Sequence, residues 1–182
     1  DLAVVEAVAA TIKELELPLV VVDPVIASSS GARLLDEDGV RMLTTALLPL
    51  ARVVTPNVPE AEILSGIRIQ SDDDLRHAAR RLHEMGAAAV VITGGHRARY
   101  SRDVVDTLFD GNTFAEFRTP CIDTPNTHGT GCTFAAAMAA HLALGRPLAD
   151  ATGLAQRYVA GALEHSLSIG RGSGPLGHFF RQ

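Results

Sequence analysis

Apolar positions along the 182 residues alternate between helical spacing and short continuous runs. Leu2, Val5, Val8, Ile12 and Leu15 recur every three or four residues and predict a first helix, which Pro18 closes. Leu19 to Val22 is an unbroken apolar run, as in a strand buried on both faces, and Asp23-Pro24 ends it. After a loop at Ser28–Gly31, Val40, Leu43 and Leu47 share one face of a second helix. Val53-Val54 reads as a short strand ended by Thr55-Pro56-Asn57, and a helix from Pro59 to Ser65 stops at Gly66. Ser71 is placed to cap the next helix, with acids at 72–74 in its first turn, Leu75, Ala78, Ala79, Leu82 and Met85 on its inner face, and Gly86 as its C-cap. Ala88 to Thr93 predicts another buried strand, ended by Gly94-Gly95. Residues 104–109 and 113–118 flank Asp110-Gly111-Asn112 as a hairpin. Thr133 to Leu144 and Leu148 to Ser168 read as the closing helices, followed by a glycine-rich loop at 170–174.

Strands alternating with helices, the strands apolar throughout, predict an α/β fold: a mainly parallel sheet covered by helices on both faces, plus the hairpin. Ligands in such sheets bind beyond the C-terminal ends of the strands. Asp23, Asn57 and Gly94 all lie just past predicted strand ends. Composition narrows the class further. With 47% hydrophobic and 20% charged residues the chain reads as one globular domain, and a net charge of −5 argues against a nucleic-acid partner. Apolar runs are far too short to span a bilayer, and no signal peptide is visible. Cys121 and Cys132 match no zinc or redox spacing, which points to a reduced, cytoplasmic setting.

The candidate chemistry gathers in a few short segments. Gly129-Thr130-Gly131 is a flexible turn feeding directly into an apolar helix, so its backbone N–H groups and the helix dipole offer a cradle for an anion. Cys132 sits in the first turn of that helix, where a thiol is made more acidic and becomes a candidate proton acceptor. The plainer alternative is a tight turn followed by a small buried filler. Asp23 can hold a metal–water cluster or simply cap a turn. Asn57 and Glu60, three residues apart at a helix start, form either a capping box or a Mg²⁺ site, with Glu60 on a metal-bound water and Asn57 on a phosphate oxygen. His77, His83, His141 and His165 read as helix-surface or satisfied histidines, whereas His96 and His128 lie within motifs that can touch phosphate.

The ten residues Asp123-Thr-Pro-Asn-Thr-His-Gly-Thr-Gly-Cys132 resemble the anion-hole segment of the hydroxymethylpyrimidine/phosphomethylpyrimidine kinases of thiamine biosynthesis, in the ribokinase-like superfamily. Asp23-Pro24-Val25, Ser30-Gly31-Ala32, Leu34-Leu35, Thr55 to Glu62, Thr93 to His96 and Ile169 to His178 resemble further stretches of those kinases in the same order. The resemblance implies a three-layer ribokinase-like sandwich that uses ATP and Mg²⁺ to phosphorylate 4-amino-5-hydroxymethyl-2-methylpyrimidine and then its monophosphate. It places Gly129, Thr130, Gly131 and Cys132 at the reacting centre and Glu60 and Asp23 at the metal. It assigns Asn57, Thr93, Gly94, Gly95, His96 and His128 to nucleotide and phosphates, and Asp123 to a monovalent cation. It also implies a cytoplasmic homodimer.

Two departures stand out. The family often has Lys where this chain has Thr93, so charge on the nucleotide phosphates has to come from elsewhere, with Arg97 and Arg99 as candidates, or ATP binds less tightly. Members also carry an N-terminal stretch with part of the pyrimidine site, so residues 1–182 are expected to be a single kinase domain that is N-terminally incomplete; a complete chain of this kind would have an unpaired apolar sheet edge. The rival readings are a pyridoxal kinase, although related pyridoxal and sugar kinases have Asp at the position of Cys132, and a truncated nucleotide-binding remnant without catalysis.

Overall fold

The computed structural model describes residues 2–28, 31–95, 102–169 and 172–180. Its elements run α1 (Leu2–Glu14), β1 (Val21–Val22), α2 (Glu37–Met42), β2 (Val53–Val54), α3 (Val58–Ser65), α4 (Asp72–Glu84), β3 (Val90–Ile92), β4 (Asp103–Phe109), β5 (Phe114–Pro120), α5 (Thr130–Ala143) and α6 (Leu148–Glu164). The strands form one sheet in the order β1-β2-β3-β4-β5. β1, β2 and β3 are parallel, with Val21 opposite Val53 and Val54 opposite Val90. The β4–β5 hairpin joins antiparallel, with Val91 opposite Leu108. Because β1, β2 and β3 point the same way, Asp23, Thr55–Asn57 and Thr93–Gly94 emerge on one rim.

Side-chain alternation across the sheet makes two cores. Val54, Val90, Ile92 and Phe109 face α1 to α4, packing on Val5, Ile12, Ala61, Leu75 and Leu82. Val53, Val91 and Leu108 face α5 and α6, packing on Phe134, Met138, Leu142, Ala151 and Ala155. That is the three-layer arrangement the strand pattern predicts. β1 is an edge strand among the described residues.

Several boundaries differ from the sequence reading, each for a local reason. α1 buries Val5, Ala9 and Ile12, while Val8 is 44% and Leu15 61% exposed. The helix carries two apolar stripes, and only one of them meets the core. The single helix expected around Val40 divides into α2, a wider π turn at Leu43–Leu47 and a 3₁₀ turn at Leu48–Leu50. Thr44 and Thr45 hydroxyls both donate to the Arg41 carbonyl at 2.8 Å, competing with the helix ladder, and Pro49 has no N–H to continue it. α4 is capped at its C-terminus by Met85, with Gly86 next. α6 stops at Glu164, four residues early, because Leu167 leaves to donate its N–H to the Pro175 carbonyl.

Ser71 caps α4 as expected: its hydroxyl accepts from the Asp74 N–H at 3.1 Å, and the Asp74 carboxylate accepts from the Ser71 N–H at 2.9 Å. The Ser71 hydroxyl also donates to the Asp74 carboxylate at 2.7 Å, and that bond, with the N–H bonds from Gln70 and Ser71, holds the Asp74 carboxyl below the usual carboxylate range. Ser71→Ala should therefore cost about 1 kcal/mol, a fall in Tm of about 2–4 °C at this size, read by thermal denaturation.

Candidate active site

Three parallel strand ends and one helix start supply the site. β1 runs into Asp23, whose half-buried carboxylate accepts a hydrogen bond from the Cys132 thiol at the start of α5. Gly131 is just as close: a Cβ built there would stand 3.8 Å from Asp23 Oδ2. β2 runs into Asn57, the N-cap of α3. Asn57 Oδ1 accepts from the Glu60 N–H at 3.0 Å, and Glu60 Oε2 accepts from the Asn57 N–H at 2.9 Å. β3 runs into Thr93, which bridges to Asn57 and donates its N–H to the Pro56 carbonyl at 2.9 Å. The Asp23, Asn57, Glu60, Thr93, Gly131 and Cys132 of the sequence reading are thus neighbours along one rim.

Electrostatics of the cluster are dominated by burial and by carboxylates facing one another. Burial pushes Glu60 up from the usual 4.5 to about 7, the nearby Asp23 charge adds to this, and N–H bonds from Asn57 and Ile26 oppose it. Burial also raises Asp23, against the hydrogen bond from Cys132. Cys132 corrects the sequence expectation. Helix-start position predicts an acidic thiol, yet burial, the Asp23 charge and the bond to Asp23 raise it instead. The resting sulfur is a neutral thiol donating to a carboxylate.

Asn57 and Glu60 settle their alternatives in one respect: the capping box is present. The box uses Oε2 of Glu60, and the carboxylate also feels the Asp23 charge. A buried Glu60 and a half-buried Asp23 that repel one another fit a small hard cation, and Mg²⁺ is usually held by one or two carboxylates with water and phosphate completing its shell. Among the described residues no group of three or more His, Cys, Asp or Glu side chains comes together as a metal site.

The cradle itself is built as the sequence reads. Gly129 has a φ of 87°, in the left-handed region, and is the N-cap of α5 with no side-chain cap. The first-turn N–H groups of Thr130, Gly131 and Cys132 have no partner within the helix. A cleft of about 600 Å³ runs from Cys132 along Ala136 and Ala140 to Tyr158 and His178. His141 also lines it, and its buried Nδ1 finds no partner among the described residues, unlike the surface or satisfied role expected of it. Asp123 and His128 are exposed on the approach to the cradle, His128 bridging to Pro175. His96, Arg97 and Arg99 lie outside the described residues, and so does Ser30.

The family model for phosphomethylpyrimidine kinase matches residues 1–177. The chain belongs to that family. It is 48% identical over 172 residues to the thiamine biosynthesis bifunctional protein of Geobacter sulfurreducens, covering 94% of this chain and 35% of that protein. It is 45% identical over 175 residues to the hydroxymethylpyrimidine/phosphomethylpyrimidine kinase of Bacillus subtilis, covering 96% of this chain and 64% of that enzyme. The pyridoxal kinase of Staphylococcus aureus, solved with AMP-PCP and pyridoxal, superposes with a TM-score of 0.89 at 31% identity, covering all of this chain and 65% of that one. The fold of this phosphomethylpyrimidine kinase family member is therefore ribokinase-like, and the chain spans less than two thirds of the length of either relative.

One residue of this site escapes the sequence reading. Asp106, in the middle of β4, is 3% exposed and holds the backbone just past β3. Its Oδ1 accepts from the Gly94 N–H at 2.8 Å, and its Oδ2 accepts from Gln156 Nε2 at 2.9 Å. Burial raises its carboxyl to about 6, against those two bonds. In the strand's alternation it shares a face with Leu108, toward α5 and α6. α6 covers that stretch of sheet, and its buried Gln156 meets the carboxylate.

Proposed function

We propose that the chain forms the nucleotide- and phosphate-handling part of a Mg²⁺- and ATP-dependent kinase for hydroxymethylpyrimidine and its monophosphate, in thiamine biosynthesis. The convergence of Cys132, Asp23 and Glu60 at the unblocked start of α5 carries this reading. Asn57 and Thr93, side by side on the rim, are suited to the nucleotide phosphates, with Gly94 and Gly95 continuing that edge and His96 assigned the same role by the resemblance. Bound Mg²⁺, supported by Glu60 and Asp23, supplies neutralisation of phosphate charge. Backbone N–H groups of Gly129 to Cys132 stabilise the negative charge that spreads over the transferred group. Asp123 is suited by analogy to a monovalent cation. A reduced cytoplasmic setting and a homodimer complete the reading.

In the first step the acceptor hydroxyl oxygen bonds to the γ-phosphorus and the bond to ADP breaks. Cys132 Sγ takes the hydroxyl proton as its own proton passes to the Asp23 carboxylate to which it is hydrogen-bonded. In the second step the attacking oxygen belongs to a phosphate that is already anionic and needs no base. Cys132→Ala should therefore slow the first step by about 100-fold, the lower end of general-base catalysis, and the second step much less. Single-turnover assays with each pyrimidine read the difference, and equal losses would sink the role given to Cys132.

A pyridoxal kinase is the second reading, favoured by the 31% identical pyridoxal kinase whose fold this chain shares. ATP-dependent phosphorylation with hydroxymethylpyrimidine, its monophosphate and pyridoxal offered in parallel tests both. Turnover of both pyrimidines supports the proposal. Turnover of pyridoxal alone supports the rival, and ATP binding without any turnover supports a nucleotide-binding remnant.

A further inference from the structure

The anion cradle lacks a cap of its own, and its position is set from a distant part of the chain. Gly129 contributes no side chain, and α5 has no side-chain N-cap. The preceding loop is instead bound to the segment after α6. Asn126 is 5% exposed, and both ends of its amide reach that segment. Its Oδ1 accepts from the Gly174 N–H at 2.9 Å, and its Nδ2 faces the hydroxyls of Ser168 at 3.3 Å and Ser166 at 3.5 Å. Ser173 clasps the same loop from the other side: its hydroxyl donates to the Pro125 carbonyl at 2.8 Å and accepts from the Thr127 N–H at 3.1 Å. Thr124 and Ser166 hydroxyls meet at 3.1 Å, and His128 bridges to Pro175. Gly174 fits because nothing larger can: a Cβ there would overlap the Leu167 carbonyl and crowd Asn126 Oδ1.

We propose that Asn126 is a positioning residue, hanging residues 127–132 on Ser166, Ser168 and Gly174 so that the cradle stands where the transferred phosphoryl group develops its charge. The inference rests on the kinase reading for its effect on turnover, but not for the clasp itself. A displaced cradle loses transition-state contacts more than ground-state ones. A displacement near 1 Å is enough to cost about 100-fold.

The test uses the intact protein with Asn126→Ala, and Ser173→Ala as a milder variant that keeps the buried amide. Amide hydrogen exchange is read across 127–132, alongside kcat and KM for MgATP. Asn126→Ala is expected to speed exchange of 127–132 by about tenfold or more with the rest of α5 unchanged. It should lower kcat about 10- to 100-fold with KM for MgATP within about threefold. Ser173→Ala should move both readouts the same way, less far. Should Asn126→Ala fail to fold, Ser173→Ala decides alone. Unchanged exchange over 127–132, or a fall in Tm with normal kcat in the folded protein, overturns the proposal. If the wild type phosphorylates neither pyrimidines nor pyridoxal, the kinase reading falls, and the exchange data still decide whether the clasp exists.

Discussion

Replacing Glu60 by Gln is expected to leave the fold intact and lower Mg²⁺-dependent turnover about 10- to 100-fold, the loss typical of removing a group that supports a metal's water shell. The separation is possible because Gln at this position still reaches back to the Asn57 N–H, as it does in other capping boxes. Only the charge goes. Burial raises Glu60 to about 7, above its value of 4.5 in an unfolded chain, so the folded state holds that proton more tightly. The stability so contributed is complete below pH 4.5 and is lost as pH rises through 7. At pH 8 without metal, the wild type keeps an ionised carboxylate facing Asp23, and Glu60→Gln should match or exceed its stability by about 1 kcal/mol, some 2–4 °C in Tm. At pH 4 the two should coincide. Added Mg²⁺ should raise Tm of the wild type at pH 8 and leave the variant unmoved. Glu60→Ala separates the two roles, since it also breaks the cap and costs about 1 kcal/mol more. Equal turnover in wild type and Glu60→Gln would remove Glu60 from the metal's support.

Gly94→Ala is expected to cost about 2–3 kcal/mol, the range for overfilling a packed interior, and about 4–12 °C in Tm. A Cβ at Gly94 would overlap the Val105 carbonyl of the neighbouring strand, while the Gly94 N–H is tied to Asp106 on the same strand. Backbone on one side and a buried hydrogen bond on the other leave no direction of relief. Gly95 is the control: a Cβ there meets nothing within 4 Å, so Gly95→Ala should change Tm by no more than about 1–2 °C, the usual size for an exposed substitution. Thermal denaturation of the pair decides. Nucleotide affinity should fall in Gly94→Ala in proportion to how far the strand end has moved.

Strand ends and helix caps were legible because their causes are local. Ser71 and Asp74, or Asn57 and Glu60, are three residues apart, and a reader of the chain meets both partners in one window. The alternation of Val53 with Val54, and of Val91 with its neighbours, likewise declares both faces of the sheet. What stayed hidden depends on partners far along the chain. Asp106 answers to Gly94 and to Gln156, the latter 50 residues on. Cys132 is raised rather than lowered because β1 delivers Asp23 beside it, a fact that spacing along the chain does not encode. Asn126 shows as a plain loop residue until Ser168 and Gly174 are brought against it. For α1, two apolar stripes of similar strength left the buried one undetermined, since the choice belongs to the surface it packs on.

The capping box at Asn57 and Glu60 bears on how such a gene decays. Those two side chains hold the first turn of α3 whether or not any phosphate is transferred. In a lineage released from catalysis, selection for a folded product alone would keep them. The Asp23–Cys132 bond ties two rim residues to each other and caps no helix, so drift would reach that pair first. Erosion would then follow a fixed order, in which a fossil kinase loses its thiol while still displaying an intact metal motif.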